Sequence, residues 1–381
     1  MKKGWQTKTL GKLCDILDSQ RMPITKRDRT AGEYPYYGAT GIVDYVNGFI
    51  FDEPLVLVGE DGAKWESGEN TAFTIEGKCW VNNHAHVLRP HRQALVDSWL
   101  VHYLNHSDLT DFVSGLTVPK LNQGSLREIL IPVPPLSEQQ RIVGVLDEAF
   151  ASLATAQAHA AQNLQNARAL FESHLNAVFT QRGEGWQLRR IPDVCVTFGR
   201  GKSRHRPRNE PCLYGGKYPF IQTGDISNAD HVITTHTQTY NETGLAQSKL
   251  WPKGTVGIAI VGATIGETGV LDFEACFPDS VIGMTVNPAE ADPFFLEYML
   301  QHFKEMVKSH GEGSARENIN LATFDRLLFP MPPVTEQRKI VEETDALKDK
   351  TKRLEDIYQH KTAVLDELKK SLLHQAFNRE L

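Results

Sequence analysis

A chain of 381 residues with 40% apolar, 9% aromatic and 23% charged residues has globular composition, and its length suits two or three domains that each bury a core. With 41 Lys and Arg against 47 Asp and Glu the net charge is −6, which excludes nucleic-acid binding through overall charge and leaves only local basic clusters for such a role. Five scattered cysteines with no CxxC pair indicate neither a disulfide framework nor a zinc site, and no apolar run reaches the roughly 18 residues of a membrane span, so a cytoplasmic protein with no membrane partner is expected.

The pattern GWQTKTLGKLCDI from Gly4 returns as GWQLRRIPDVCVT from Gly185, placing Trp5 on Trp186 and Cys14 on Cys195 at a shift of 181. Such self-similarity has to be resolved first, because a missed repeat misassigns the whole fold. YPYY from Tyr34 answers YPFI from Tyr218. IFDEPLVLVGEDG from Ile50 and TVGIAIVGATIGETGVLDF from Thr255 alternate β-branched residues with glycine turns, the pattern of strands and hairpins. SWLVHYLNHS and PFFLEYMLQHFKEMV are predicted to be short helices. LNQGSLREILIPVPPLSEQQRIV from Leu121 then recurs as INLATFDRLLFPMPPVTEQRKIV from Ile319 at a shift of 198, so the second copy carries insertions in its middle while its flanks stay matched.

Behind each PxPP a long helix is predicted. Ser137 is the expected cap of the first, whose stripe is Ile142, Leu146, Ala149, Leu153, Ala156, Ala160, Leu164, Ala167, Phe171, Leu175 and Val178. The second has a stripe of Ile340, Leu347, Leu354, Tyr358, Leu365, Leu368 and Leu372, interrupted by Thr344, Thr351 and Lys361. At 1.5 Å per residue a helix of about 40 residues spans roughly 60 Å. No compact core needs a lone helix of that length, so the two are expected to pack together. The expected fold class is α+β: two β-rich domains related by pseudo-two-fold symmetry, 1–135 and 181–333, joined by long helices, 136–180 and 334–381, in an antiparallel coiled coil. Phe179 aligns with Phe377, so the two-fold relation would bring the chain ends together.

Catalytic signatures are missing: the chain has no GxGxxG after a strand, no GxxxxGK[ST], no GxSxG, no HExxH and no NPPY-like tetrad. His84 and His86 in VNNHAHVLRP would share a strand face and suit a metal, but the second copy has PDSVIGMTVNP there, so no metal is assigned. Glu60 and Asp61 in the VGEDGAKW turn form an acidic pair that VGATIGETG lacks, and the PDS at Pro278 lacks the E-x-K of a nuclease centre. The chain is expected to catalyse nothing and to bind no cofactor itself.

Basic residues cluster at matched places. QRMPITKRDR carries Arg21, Lys26, Arg27 and Arg29, and GRGKSRHRPR carries Arg200, Lys202, Arg204, Arg206 and Arg208, with Arg21 falling on Lys202. A charge run is usually a solvated face, but two equivalent runs in a net acidic chain point to phosphate neutralisation. LTVPKLNQGS (Lys120, Asn122) and SARENINLAT (Arg316, Asn318, Asn320) set a cation beside amides, the side chains that read guanine and adenine edges.

The order of variable β-rich domain, PxPP-xx-EQ-xx-IV and long helix, then all of it again, resembles the DNA specificity subunit of type I restriction-modification enzymes over essentially the whole chain. YPYYGATGIVDY, VLVGEDGA and WVNNHAHVLRP, with IQTGDIS and VGATIGETG, are similar to stretches of that family's target recognition domains. They add Tyr37, Asn83, His84, Gln222, Thr223 and Thr264, and Lys64 directly behind VLVGEDGA, to the candidate DNA-binding residues. The chain departs from a typical member in its compact first middle, which implies fewer contacts to the first half-site. The resemblance implies a non-catalytic subunit whose two domains each read one half of a bipartite, asymmetric double-stranded DNA target. It also implies two methyltransferase subunits that use S-adenosylmethionine on adenine N6, and restriction subunits that use ATP and Mg to translocate and cleave. Outward residues of the helices and the repeated Glu138, Gln139, Glu336 and Gln337 are the candidates for partner binding, with helix capping as the alternative. Three rivals stand beside this reading: the specificity subunit of a type II restriction-methyltransferase, a non-DNA structural repeat protein that carries two ligand-binding domains on a coiled-coil spacer, and a free-standing enzyme, which the missing motifs argue against.

Overall fold

A computed structural model describes residues 4–115, 117–205, 207, 210–310 and 319–381. It divides into two compact units, Met1–Gln162 with Tyr358–Leu381, and Asn163–Ile357. Each long helix is therefore shared between the units.

In the first unit the buried run LVLVG forms the strand Leu55–Gly59 at the heart of an antiparallel sheet ordered Cys14–Ile16, Ala85–Pro90, Leu55–Gly59, Ala72–Ile75. Successive side chains of a strand point to opposite faces, so Val56 and Val58 join Trp99, Leu100 and Ile142 in one core while Leu55 and Leu57 join Phe51, Cys79 and Val81 in another. A strand buried on both faces has no polar alternation, which is why this one reads as continuously apolar. The second core is closed by a sheet ordered Gly41–Val46, Ala31–Gly38, Lys78–Val81, Phe51–Asp52. Asp97–His106 is the short helix expected from SWLVHYLNHS.

The second unit repeats the plan with a five-stranded sheet, Cys195–Arg200, Val281–Val286, Val256–Ala259, Thr268–Leu271, Val232–Ile233, and a four-stranded one, Gln238–Tyr240, Tyr214–Phe220, Ala275–Cys276, Leu250–Trp251. The insertion lies between Tyr214–Phe220 and Leu250–Trp251, where the helices Thr223–Ser227 and Glu242–Ala246 and the strand Val232–Ile233 have been added, while Gln238–Tyr240 pairs with Tyr214–Phe220 as Gly41–Val46 pairs with Ala31–Gly38. In both units the start of the copy pairs with the strand before PxPP: Gln6 lies opposite Val133, and Gln187 opposite Met331.

The long helices run Leu136–Thr180 and Val334–Phe377, 45 and 44 residues. Ser137 is not the cap. The Pro135 carbonyl accepts from the N–H groups of Glu138 and Gln139, and Pro333 serves Glu336 and Gln337 in the same way, so each helix starts directly behind its proline. Within the first unit Arg141 meets the Leu381 carbonyl at 3.1 Å and Gln157 meets Asp366 at 2.6 Å. Within the second, Arg168 meets Glu355 and His174 meets Thr344, both at 3.1 Å. In each unit, then, the helix segments are antiparallel.

The stripe of the first helix is buried at Ile142, Leu146, Leu153, Ala160, Ala167 and Leu175. On the second helix the seam is displaced from the leucines. Thr344 and Thr351, which interrupt the apolar stripe, are 0% and 3% exposed, whereas Leu354 and Leu368 are 37% and 45% exposed. The short threonines leave room for the Phe171 and His174 side of the apposed helix. Their hydroxyls stay satisfied, Thr344 by His174 and Thr351 by the Leu347 carbonyl at 3.1 Å. Residues near the two chain ends also meet as expected: the Arg379 guanidinium lies 5.0 Å from the Trp5 ring, and in the second unit Phe179 lies 6.4 Å from Trp186.

Candidate nucleic-acid interface

Five charged side chains converge in the first unit beside the end of Leu55–Gly59. Glu60 follows that strand directly, His86 sits in Ala85–Pro90, Asp18 opens a turn after Cys14–Ile16, Arg21 follows that turn, and Lys120 starts the two-residue strand Lys120–Leu121. The Arg21 guanidinium bonds the Glu60 carboxylate and donates to the Ala85 carbonyl at 2.7 Å. Lys120 Nζ lies 2.9 Å from the other Glu60 oxygen. His86 Nδ1 faces Asp18 Oδ2 at 2.6 Å and its Nε2 faces the Leu121 carbonyl at 2.7 Å. Each ring nitrogen thus faces an oxygen acceptor. Burial alone would push the Glu60 carboxyl up, but the Lys120 and Arg21 bonds outweigh it and hold the group below the ordinary carboxylate range. Asp18 is likewise held low against its burial, chiefly by the His86 hydrogen bond.

Asp18, Glu60 and His86 offer ligand atoms within 4.8 Å of one another, the only such set among the described residues. Arg21 and Lys120 already supply the compensating positive charge, so the cluster is an internally neutralised network. The expected sharing of one strand face by His84 and His86 is corrected at the same time. His84 lies in the turn before the strand, half-exposed and bonded to Asp61, while His86 is fully buried with other partners. Glu60 and Asp61 do not pair with each other either, since one serves Arg21 and Lys120 and the other His84.

The candidate residues sort by their surroundings. Arg21 is not available to a phosphate, because its side chain is 13% exposed and spent on Glu60 and Asp18. Arg29 is also structural: it bonds Asp44 at 3.0 Å and lies 4.4 Å from the Tyr36 ring centroid. Lys26 and Arg27 stand exposed on the turn between them, with only Asp28 near Arg27. Asn83, His84, Lys120 and Asn122 surround the network, Asn122 donating to Ser114 at 2.6 Å. Lys64 bonds Glu69 and Tyr37 packs against Phe73, apart from that group.

In the second unit exposed Arg200 ends the strand Cys195–Arg200, and exposed Lys202 and Arg204 follow on a loop whose backbone is pinned: Lys202 N–H donates to Phe277 O at 2.9 Å and Arg204 N–H to Gln247 Oε1 at 2.6 Å. Gly201 is required there, since a Cβ would fall 2.3 Å from the Phe277 and Pro278 carbonyl oxygens. Beside this loop Gln222 and Thr223 line a 130 Å³ cavity with Ser203, Tyr214, Phe220 and Gln238. Thr264 lies in a separate turn, Gly262–Thr264, and the Asn320 side chain caps the helix Leu321–Arg326 by accepting from Thr323 N–H at 3.1 Å. Arg206, Arg208, Arg316 and Asn318 lie outside the described residues.

The four repeated partner-binding candidates are corrected in part. Gln139 is fully buried; its oxygen accepts from Val96 N–H at 2.8 Å and its amide donates to the Ala94 and Pro134 carbonyls. Gln337 repeats this with Asp292 N–H and the Glu290 and Pro332 carbonyls. Both glutamines tie a recognition domain to its helix and have no surface to offer. Glu138 bonds Arg141 at 2.8 Å and Glu336 accepts from Trp186 Nε1 at 2.9 Å.

Sequence reasoning misses Asp18, Glu60 and His86 as a unit. The signal that could find them is the contrast between copies, because His86 pairs with Val58 across the sheet at the place where Ile282 pairs with Ile258.

The family model for the type I restriction modification DNA specificity domain matches residues 2–163 and again 183–360. The chain belongs to that family, carries its domain twice, and is a specificity subunit of the type I restriction-modification class. A Haemophilus influenzae protein named as a type I restriction enzyme specificity subunit is 28% identical over 341 residues, 88% of this chain and 85% of that one. The EcoDI specificity subunit of Escherichia coli is 22% identical over 412 residues, 99% of this chain and 88% of that one. A chain solved in work on type I R-M complex assembly has a TM-score of 0.74 at 21% identity, covering 100% of this chain and 99% of that one. The HsdS subunit from Thermoanaerobacter tengcongensis has a TM-score of 0.62 at 19% identity, covering 100% and 98%. These two likenesses establish a shared fold. Among the described residues no helix is long and apolar enough to cross a membrane.

Proposed function

We propose that the first domain reads one half of a bipartite DNA target and the second reads the other, and that the two halves differ in sequence. The observation that carries this is a single domain plan built twice with different side chains at matched places. Glu60 and His86 stand where the second copy has Ile260 and Ile282. Different donors and acceptors read different base edges. Lys120 and Asn122 are the candidates for the first half-site, and Gln222 and Thr223 for the second. Lys26 and Arg27, with Arg200, Lys202 and Arg204, are placed to meet phosphates. The chain itself performs no chemistry in this reading. Two methyltransferase subunits with S-adenosylmethionine, and restriction subunits with ATP and Mg, supply it. Val364 and Leu368, exposed on the second long helix within the first unit, support a partner-facing surface there.

Methylation of a random DNA library by this chain with its methyltransferase partner tests the reading, with N6-methyladenine mapped by single-molecule sequencing. A gapped, non-palindromic motif is expected, and methylation that is independent of this chain overturns it. For the basic loop, alanine at Arg200, Lys202 and Arg204 is expected to weaken binding to all sequences. The slope of log K against log salt should become shallower by about 0.9 for each phosphate that is no longer neutralised. A salt titration with an unchanged slope removes these residues from the interface.

A further inference from the structure

The second domain builds the same sheet without the charged network of the first. His86 lies opposite Val58 and Ile282 opposite Ile258, while Glu60 and Ile260 each follow two residues further on. Ile260 and Ile282 are both 0% exposed. One copy therefore closes this end of its core with two isoleucines, and the other with buried charges. Buried charges surrender their hydration, and a packed apolar replacement is often as stable or more so, so stability does not account for the network. Geometry does. Four bonds tie the segment from Lys120 to Gln123 to it: Lys120 Nζ to the Glu60 carboxylate at 2.9 Å, Leu121 N–H to the Glu60 carbonyl at 2.8 Å, the Leu121 carbonyl to His86 Nε2 at 2.7 Å, and Gln123 Nε2 to Asp18 Oδ2 at 3.3 Å. Asp18 is anchored in turn by Val87 N–H at 2.9 Å.

We infer that Asp18, Glu60 and His86 are positioning residues that hold the Lys120–Gln123 segment, a short strand running into a helix, in the orientation that reads the first half-site; this rests on the function proposed above. All three side chains lie beneath the surface, so they act through this segment. Glu60 sets the reach of Lys120, His86 fixes the backbone at Leu121, and Asp18 orients Gln123.

The test uses the full chain with its methyltransferase partner and duplexes carrying single base changes in either half of the mapped target. Wild type, Glu60→Gln, Asp18→Asn and the surface variant Gln123→Ala are compared. If wild type methylates no bipartite target, the proposed function fails before any variant is read. Given a target, Glu60→Gln and Asp18→Asn are expected to lose about 10-fold in discrimination against wrong bases in the first half-site, and to keep the second unchanged. A variant that is merely less well folded lowers methylation of right and wrong sequences in proportion, so this ratio separates positioning from stability. Gln123→Ala cuts one tie without touching the buried charges, and its smaller loss should fall on the same half-site. Unchanged ratios in all three variants, or equal losses at both half-sites, overturn the inference.

Discussion

Replacing Glu297 with alanine is expected to destabilise the second unit by about 3–5 kcal/mol, the range for removing one partner of a buried pair. Glu297 is fully buried on the helix Pro293–His302, and its carboxylate accepts from His231 Nδ1, from Gln301 and, at 2.8 Å, from the Thr268 hydroxyl. His231 is 7% exposed and its Nε2 has no hydrogen-bond partner, with Asp345 Oδ1 at 4.0 Å, so losing Glu297 removes the hydrogen bond that holds the ring. The residue also holds a left-handed backbone at φ 75°, a conformation that costs a β-carbon residue on the order of 1 kcal/mol and persists only while its surroundings insist on it. Those surroundings are Glu297 and the Tyr298 ring, stacked at 4.1 Å. Hydrogen exchange on the full chain checks the result: amides of Thr268–Leu271 and Val281–Val286 should lose protection while those of Leu55–Gly59 keep theirs. Protection unchanged in Val281–Val286 would show that the cluster stabilises nothing beyond itself.

Alanine at Gln139 or Gln337 is expected to cost about 2–3 kcal/mol in the unit that contains it, because each truncation leaves backbone donors and acceptors buried without partners. The two losses should add in the double variant, since each glutamine serves a separate core. Urea unfolding followed through Trp99 and Trp186 environments checks this. A partner-docking role predicts the reverse: normal unfolding and failed assembly with the methyltransferase subunits.

The repeated EQ illustrates how far a sequence can be read. Its recurrence at a shift of 198 is plain, but two equivalent uses, capping a domain onto its helix and meeting a partner, leave the same mark in one dimension. Only the register of Gln139 beside Val96, and of Gln337 beside Asp292, decides between them. The seam of the second long helix shows the same limit. Leu347 and Leu354, seven residues apart, look like part of the buried row, yet full burial goes to Thr344 and Thr351, because the apposed helix presents Phe171 and His174 there and a smaller residue fits. The basic loops are legible as clusters and not as contacts. Arg21 and Arg29 find carboxylates from distant strands, whereas Lys202 and Arg204 remain exposed.

The sequence by itself determined the duplication, the strand-rich middles, the two helices behind their prolines and the family, because all of these are written as period, spacing and motif along the chain. The tertiary structure decided which charges are neutralised, which face of the second helix is buried and which side chains surround Lys120. Those outcomes rest on pairs such as His86 with Asp18, 68 residues apart, and Gln123 with Asp18, 105 apart. A hydrogen bond of that kind depends on the register between strands and on the path of the loops between them, and no local pattern of residues carries that information.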